Sequence, residues 1–231
     1  SNSSLYFSYI KSFNPFDPSW VTQSGQTFTP EHANQYEAGF KYQAFHQRLA
    51  TTLAVYRIYR DNAVTTDPTN PNFYVEAGPQ RSKGVTVDIV GKLTNHWNVW
   101  LAYGFTQAQV AGGIYFPIGN LLNEAPRHLG NVWTTYEFSK GVLSGFGIGG
   151  GLHASTYKEG DLMNDYLLPG YATLDATVWY QIHRTNEKTS WRVSLNVKNA
   201  LDRPYWEESN GGFARPGNPF AAYSSIKLTW D

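Results

Sequence analysis

The 231-residue chain contains no cysteine. That excludes a disulfide framework and any thiolate metal site or cysteine nucleophile. Charge is also sparse: Asp, Glu, Lys and Arg make up 16% of the residues and cancel to a net charge of +0. Typical globular chains carry about 25%. The balance gives no argument for nucleic acid binding or for a polybasic membrane patch. No run approaches the roughly 20 consecutive apolar residues that a spanning helix needs, and mean hydropathy is −0.43. A helical membrane protein is therefore excluded. Residues 1–12 lack the basic and apolar regions of a signal peptide. Helix-period patterns are hard to find, and so are the short motifs of nucleotide and hydrolase sites. There is no Gly-x-Ser-x-Gly and no phosphate loop, and the six histidines show no metal-binding spacing. Gly145, Gly147, Gly149, Gly150 and Gly151 lie in an alternating strand with no helix after them, so they are read as permitting curvature or a close approach.

Aromatic residues and period-two alternation are abundant. Phe, Trp and Tyr make up 16% of the chain. Trp191, Val193, Leu195 and Val197 alternate with Arg192, Ser194, Asn196 and Lys198. Val85, Val87 and Ile89 alternate with Thr86 and Asp88. Ala172, Leu174, Ala176, Val178 and Tyr180 alternate with Thr173, Asp175, Thr177 and Gln181. This is the pattern of strands with one apolar face. The run 47–59 is also read as a strand, but Arg57 shares parity with Leu53 and Val55, so its faces stay unassigned. About ten strands are expected, near 4–11, 34–43, 47–60, 73–94, 97–110, 127–138, 143–156, 170–182, 190–200 and 220–230. Short connections alternate with long ones, as in transmembrane barrels with short periplasmic turns and long outer loops. Tyr42, Trp97, Phe138, Tyr180, Trp191 and Trp230 share the apolar parity beside the short turns or the last strand's end. They are expected to form one interfacial girdle. The polar parity, including Glu37, Lys41, Asp88, Lys92, Asp175, Arg192 and Lys198, is expected to face a wet lumen. The fold expected is all-β: a transmembrane antiparallel β-barrel in which every second side chain touches lipid.

Four landmarks stand in order along this pattern: Tyr36-Glu37-Ala38-Gly39-Phe40-Lys41, Arg81-Ser82-Lys83-Gly84-Val85, Ala125-Pro126-Arg127-His128, and Asn199-Ala200-Leu201-Asp202-Arg203-Pro204-Tyr205. In wording and spacing they resemble the C-terminal half of the barrel of TonB-dependent outer-membrane receptors, most closely the ferrichrome-receptor-like ferric-siderophore type. Pro79 and Gln80 depart from the acidic start of the second landmark, and Ala200 and Leu201 depart from the fourth. Trp230 is followed by Asp231 where family members end on an aromatic.

The resemblance implies a plugged barrel of about 22 strands, of which residues 1–231 would supply about the last ten. The plug, the earlier strands and the box that engages the energy-coupling protein would lie outside this chain. The chain opens inside a strand-like run, as expected of a fragment. Its implied partners are a ferric siderophore, a TonB-type coupling protein reached through the N-terminal part, the remaining strands and plug, and outer-membrane lipid of a Gram-negative cell. Nucleic acid is not among them. No catalytic residue, protein-held metal or cofactor is implied, because the iron arrives already saturated by its chelator. Binding needs aromatic walls and a few polar donors on the long loops. Phe213, Arg215 and Trp206 in the last long loop are the first candidates, with Tyr115, Phe116 and Trp20 in other loops. The bland alternatives are that Phe213 packs between loops, that Arg215 pairs with Glu207 or Glu208, and that the others hold their loops folded. Rival readings are a small complete barrel acting as a protease or lipase, with Glu159, Asp161, Asp165 and His153 the groups to watch, or a haem or cobalamin receptor. Strand count discriminates: a closed ten-stranded barrel favours an enzyme, and continuation onto further strands favours a receptor.

Overall fold

The computed structural model describes residues 2–183, 189–210 and 213–230, and the side chains of all of these except His183, Glu208, Ser209, Asn210 and Phe213. Ten long strands form one antiparallel sheet: β1 (Ser3–Asn14), β2 (Glu31–Ala44), β3 (Leu49–Thr66), β4 (Tyr74–Lys92), β5 (Trp97–Val110), β6 (His128–Glu137), β7 (Phe146–Ser155), β10 (Tyr171–His183), β11 (Thr189–Lys198) and β14 (Ala221–Trp230). They pair in that order, each with the next. Two short hairpins sit inside long connections: β8 (Lys158–Glu159) with β9 (Leu167–Leu168), and β12 (Trp206–Asn210) with β13 (Phe213–Pro216). The strands expected from alternation are thus the strands observed, and the two hairpins are additions. Among the described residues β1 and β14 do not pair with each other, so the ten strands do not close on themselves.

The register carries the two faces across the whole sheet. One row reads Thr51, Ile89, Leu101, Val132, Leu152 and Leu174, and the row toward the loops reads Leu53, Val87, Tyr103, Gly130 and Ala154. Side chains in these rows stay open, as Leu152 does at 47%. A sheet that exposes such rows has no second layer, and the solvent for that face is hydrocarbon. The opposite parity holds the charges of the spanning rows, whereas Lys11, Arg57, Arg81 and Lys83 fall on the outward parity, above its apolar rows. Lys198 bonds Asp175 at 2.6 Å, Tyr6 donates to Glu37 at 2.7 Å, Lys41 lies 5.0 Å from the Tyr6 ring and Arg192 lies 4.2 Å from the Trp179 ring.

Glycines on the polar face have a steric purpose. Tyr6 stands opposite Gly39, Tyr56 opposite Gly84, Trp133 opposite Gly151 and Trp179 opposite Gly147. In each pair the ring covers the glycine. A Cβ on Gly39 would lie 2.2 Å from Tyr6 Cε1, and one on Gly147 would lie 2.0 Å from Trp179 Cε2. Two of the five clustered glycines therefore seat tryptophans, a more specific role than curvature. The same pairing explains the glycines of the first two landmarks. Gly39 seats the tyrosine that bonds Glu37. Gly84 seats Tyr56, whose hydroxyl meets Thr106 Oγ1 at 2.8 Å.

Candidate ligand-binding mouth

The five long connections gather at one end of the sheet and the short turns at the other. β3 and β4 run 18 and 19 residues, longer than the roughly 9–11 needed to cross a bilayer. Their ends stand above the membrane as a hairpin whose register shifts near Ala63. Gly78 has φ +80°, and a Cβ there would meet the Gly112 carbonyl oxygen at 2.2 Å. Glycine is needed at this position because the 111–127 loop is drawn against β4, where the Ala111 amide donates to the Pro79 carbonyl at 2.8 Å.

Behind this contact lies a small apolar core of Ala63, Val75, Ala77, Val110, Phe116 and Leu162, with Leu122 against it. The loops are tied laterally as well. Asn120 donates to the carbonyls of Leu162 at 3.0 Å and Met163 at 2.9 Å, and Asn164 both accepts from the Leu121 amide and donates to its carbonyl. Lys158 donates to the Glu207 carbonyl, joining the 156–170 loop to the last one. On the other side, Gln23 bonds Asp67 at 2.9 Å, and the Tyr74 amide donates to the Val21 carbonyl at 3.1 Å. Thr69 donates to Asp67 through its amide (2.7 Å) and hydroxyl (2.6 Å), which holds that carboxyl below the usual aspartate range. Burial, aided by Asp161, raises the Glu159 carboxyl above its ordinary value.

The last connection is organised by the fourth landmark. Asn199, with φ +45° and 3% exposure, donates to the carbonyls of Arg203 and Asn218 and accepts from the Arg203 amide. Asp202 accepts from the Phe220 amide at 2.8 Å. Tyr205 covers Gly217, lies 4.4 Å from the Tyr171 ring at a tilt of 31° and donates to Glu207 at 3.1 Å. His153 Nε2 meets the Tyr171 hydroxyl at 3.0 Å. A ladder of His153, Tyr171 and Tyr205 therefore runs from the lumen wall of β7 and β10 into the last loop. The sequence reading missed this ladder as a unit. The tyrosine of the fourth landmark was its one visible trace.

The candidate residues divide on this geometry. Trp206 is 41% exposed at the start of β12, opposite Pro216. Arg215 sits on β13 and reaches Glu207 Oε2 at 3.2 Å, the pairing of the bland alternative. Tyr115 is 46% exposed at the mouth. Phe116, expected with it as a ligand contact, is only 6% exposed and packs in the loop core. Trp20 is spent largely on Tyr74, stacked at 4.7 Å and 9°. The Phe213 backbone lies in β13, but its side chain falls outside the described residues. Among the described residues the groups of the catalytic alternative are not assembled. His153 bonds Asn131 and Tyr171, not Glu159, Asp161 or Asp165. Among the described residues no three His, Asp or Glu are grouped to hold a metal.

An antiparallel sheet with one lipid face, one polar face and all its long loops at one end defines a segment of a transmembrane β-barrel. Residues 1–200 match the family described as TonB dependent receptor-like, beta-barrel, and the chain belongs to that family. It is thus part of a barrel of the Gram-negative outer membrane. It is 31% identical over 98% of its length to the metal-pseudopaline receptor CntO of Pseudomonas aeruginosa, of which the match covers 31%. It is 34% identical over 87% of its length to the ferrichrome outer membrane transporter/phage receptor of Escherichia coli K12, covering 26% of that protein. The crystal structure of the siderophore receptor PiuA from Acinetobacter baumannii superposes on 99% of the chain and 34% of its own, with TM-score 0.80 at 24% identity. The chain spans about a third of the length of the curated relatives it matches first.

Proposed function

We propose that this chain forms the last ten strands of a receptor that binds a ferric siderophore and imports it, with energy coupled through a TonB-type protein. On this reading the remaining strands, the plug and the coupling segment belong to the rest of the receptor. The observation that carries it is the cross-tied mouth. Loops bonded to one another and to their own apolar core present Trp206, Tyr115 and the Tyr171–Tyr205 ladder with little ordering left to do when a ligand binds. Relatives that match nearly the whole chain or most of it are named as receptors for metal chelates: metal-pseudopaline, ferrichrome and ferrioxamine B. The iron is cargo held by its own chelator, so the protein supplies walls and hydrogen bonds and breaks no covalent bond. An open ten-stranded sheet argues against a self-contained barrel protease or lipase.

The test is binding and uptake by the whole receptor against ferrichrome, ferrioxamine B, ferric pyoverdine and metal-pseudopaline, with haem and cobalamin as outgroups. One metal chelate is expected to bind tightly. Trp206→Ala and Phe213→Ala are each expected to weaken that binding about tenfold, the effect of losing one aromatic anchor. Binding of haem or cobalamin alone would replace the siderophore reading.

A further inference from the structure

The net charge of +0 conceals a division between the two ends of the sheet. The five long connections, residues 15–30, 67–73, 111–127, 156–170 and 199–220, hold nine Asp and Glu against four Lys and Arg, a net of −5. The rest of the chain holds nine against fourteen, a net of +5. No histidine falls within the five connections, and none of the five carries a positive sum. The mouth that this chain builds is therefore acidic along its whole length, not at one cluster.

The four loop cations do little to offset this at the opening. Lys158 donates to the Glu207 carbonyl and Arg215 reaches the Glu207 carboxylate at 3.2 Å, so one acidic residue draws in both. Arg127 stands one residue before β6, where its carbonyl accepts from the Thr106 amide and extends the strand pairing. Arg203 lies in the turn closed by Asn199, at the root of the last loop. The acids reach further out. Asp17 is exposed in the first loop and Asp165 in the stretch between β8 and β9. Asp161 accepts from the Asp165 amide at 3.0 Å, which holds two carboxylates on one turn. Glu159 beside them is 8% exposed, and no lysine or arginine pairs with its carboxylate among the described residues.

Charge of one sign around an opening acts on a ligand before contact, over a range of about 10 Å at 0.1 M salt. Chelates differ in charge through the chemistry of their donors. Hydroxamates balance ferric iron charge for charge. Catecholates lose two protons each and leave the chelate polyanionic, and polycarboxylates do the same. The exposed rings of Tyr115 and Trp206 present negative faces, which suit an apolar or cationic surface and not an anion. We propose that this mouth selects metal chelates that are uncharged or positively charged, of the hydroxamate class, and rejects polyanionic ones. The inference rests on the transport reading and narrows it from metal chelates in general to one charge class.

The test measures binding to the whole receptor, at low and at high salt, of four probes: uncharged ferrichrome, cationic ferrioxamine B, a ferric triscatecholate and a ferric tricarboxylate. One of the first two is expected to bind at least about a hundredfold more tightly than either polyanion, since like charges brought together at an interface cost several kcal/mol. The double variant Glu76→Lys/Asp165→Lys reverses two exposed acids whose side chains have no bonded partner among the described residues. At low salt it is expected to strengthen triscatecholate binding at least about threefold, and at high salt by less. A gain for one probe also shows that the variant is folded. Polyanion binding as tight as that of the better of the first two probes would overturn the proposal. So would triscatecholate binding that the double variant leaves unchanged at low salt. Either result leaves the transport reading intact, because a metal chelate is still bound. Binding of none of the four, with haem or cobalamin bound instead, would remove the transport reading and this inference together.

Discussion

At the scale of single residues, the sheet is organised by rings lying over glycines. Trp179 is 5% exposed, sandwiched between the Gly147 backbone across the strand and the Arg192 guanidinium. A methyl group at residue 147 has nowhere to go while the ring stays in place. Gly147→Ala is therefore expected to destabilise the receptor by about 1–3 kcal/mol, the usual cost of overpacking. Denaturant unfolding in detergent checks this. An unchanged midpoint would mean the ring moves freely and the pairing is incidental. Gly104→Ala in β5, where a Cβ meets nothing within 4 Å and the backbone is not left-handed, controls for general effects of losing a glycine. That these glycines mattered was legible from their spacing. What each one faces was not, because Gly147 and Trp179 are joined only by pairing across the β7–β10 connection.

Among elements, the decisive contacts are those between loops. The Asp67 carboxylate ties the first loop to the β3–β4 hairpin through Gln23 and is charged in that contact. Its folded pKa is depressed, so its contribution to loop docking is complete above the ordinary aspartate value, near 4. It is lost as pH falls further, through the folded value. A fluorophore at Ser24 is expected to report a docked loop at pH 7 and release below about pH 4. Asp67→Asn is expected to abolish the pH step. A step that survives in the variant would move the effect to another group. The long connections were plain from the sequence, as were their stiffening prolines. The ties between them were not: Asn164 and Leu121 are held together only because their strands are neighbours in the sheet. Phe116 illustrates the consequence. An aromatic on a mouth loop reads as a ligand contact, and only the fold shows that its ring is packed against the β3–β4 hairpin.

For the whole molecule, sidedness is the central claim. The absence of cysteine makes it directly testable, because an introduced cysteine is the only thiol in this chain. A cysteine at Ile118, 69% exposed in a long loop, is expected to react with an impermeant maleimide on intact cells. One at Gln47, in the β2–β3 turn, is expected to react only after the outer membrane is opened. The reverse pattern would invert the barrel, placing the proposed mouth in the periplasm and the cationic rows at the inner leaflet.

Alternation, strand count, the segregation of long from short connections and the girdle parity were all written in the chain itself. Each is a local property: side chains two apart share a face whatever the strand is paired with. Only the folded sheet decided which side chains stand together. Arg57, whose parity the sequence left unassigned, belongs to the lipid face. Its company with Lys83, Arg81 and Lys11 depends on a register spanning four strands. The chain's net charge of +0 hid that cluster completely, because a sum over residues carries no information about which of them the backbone hydrogen bonds bring side by side.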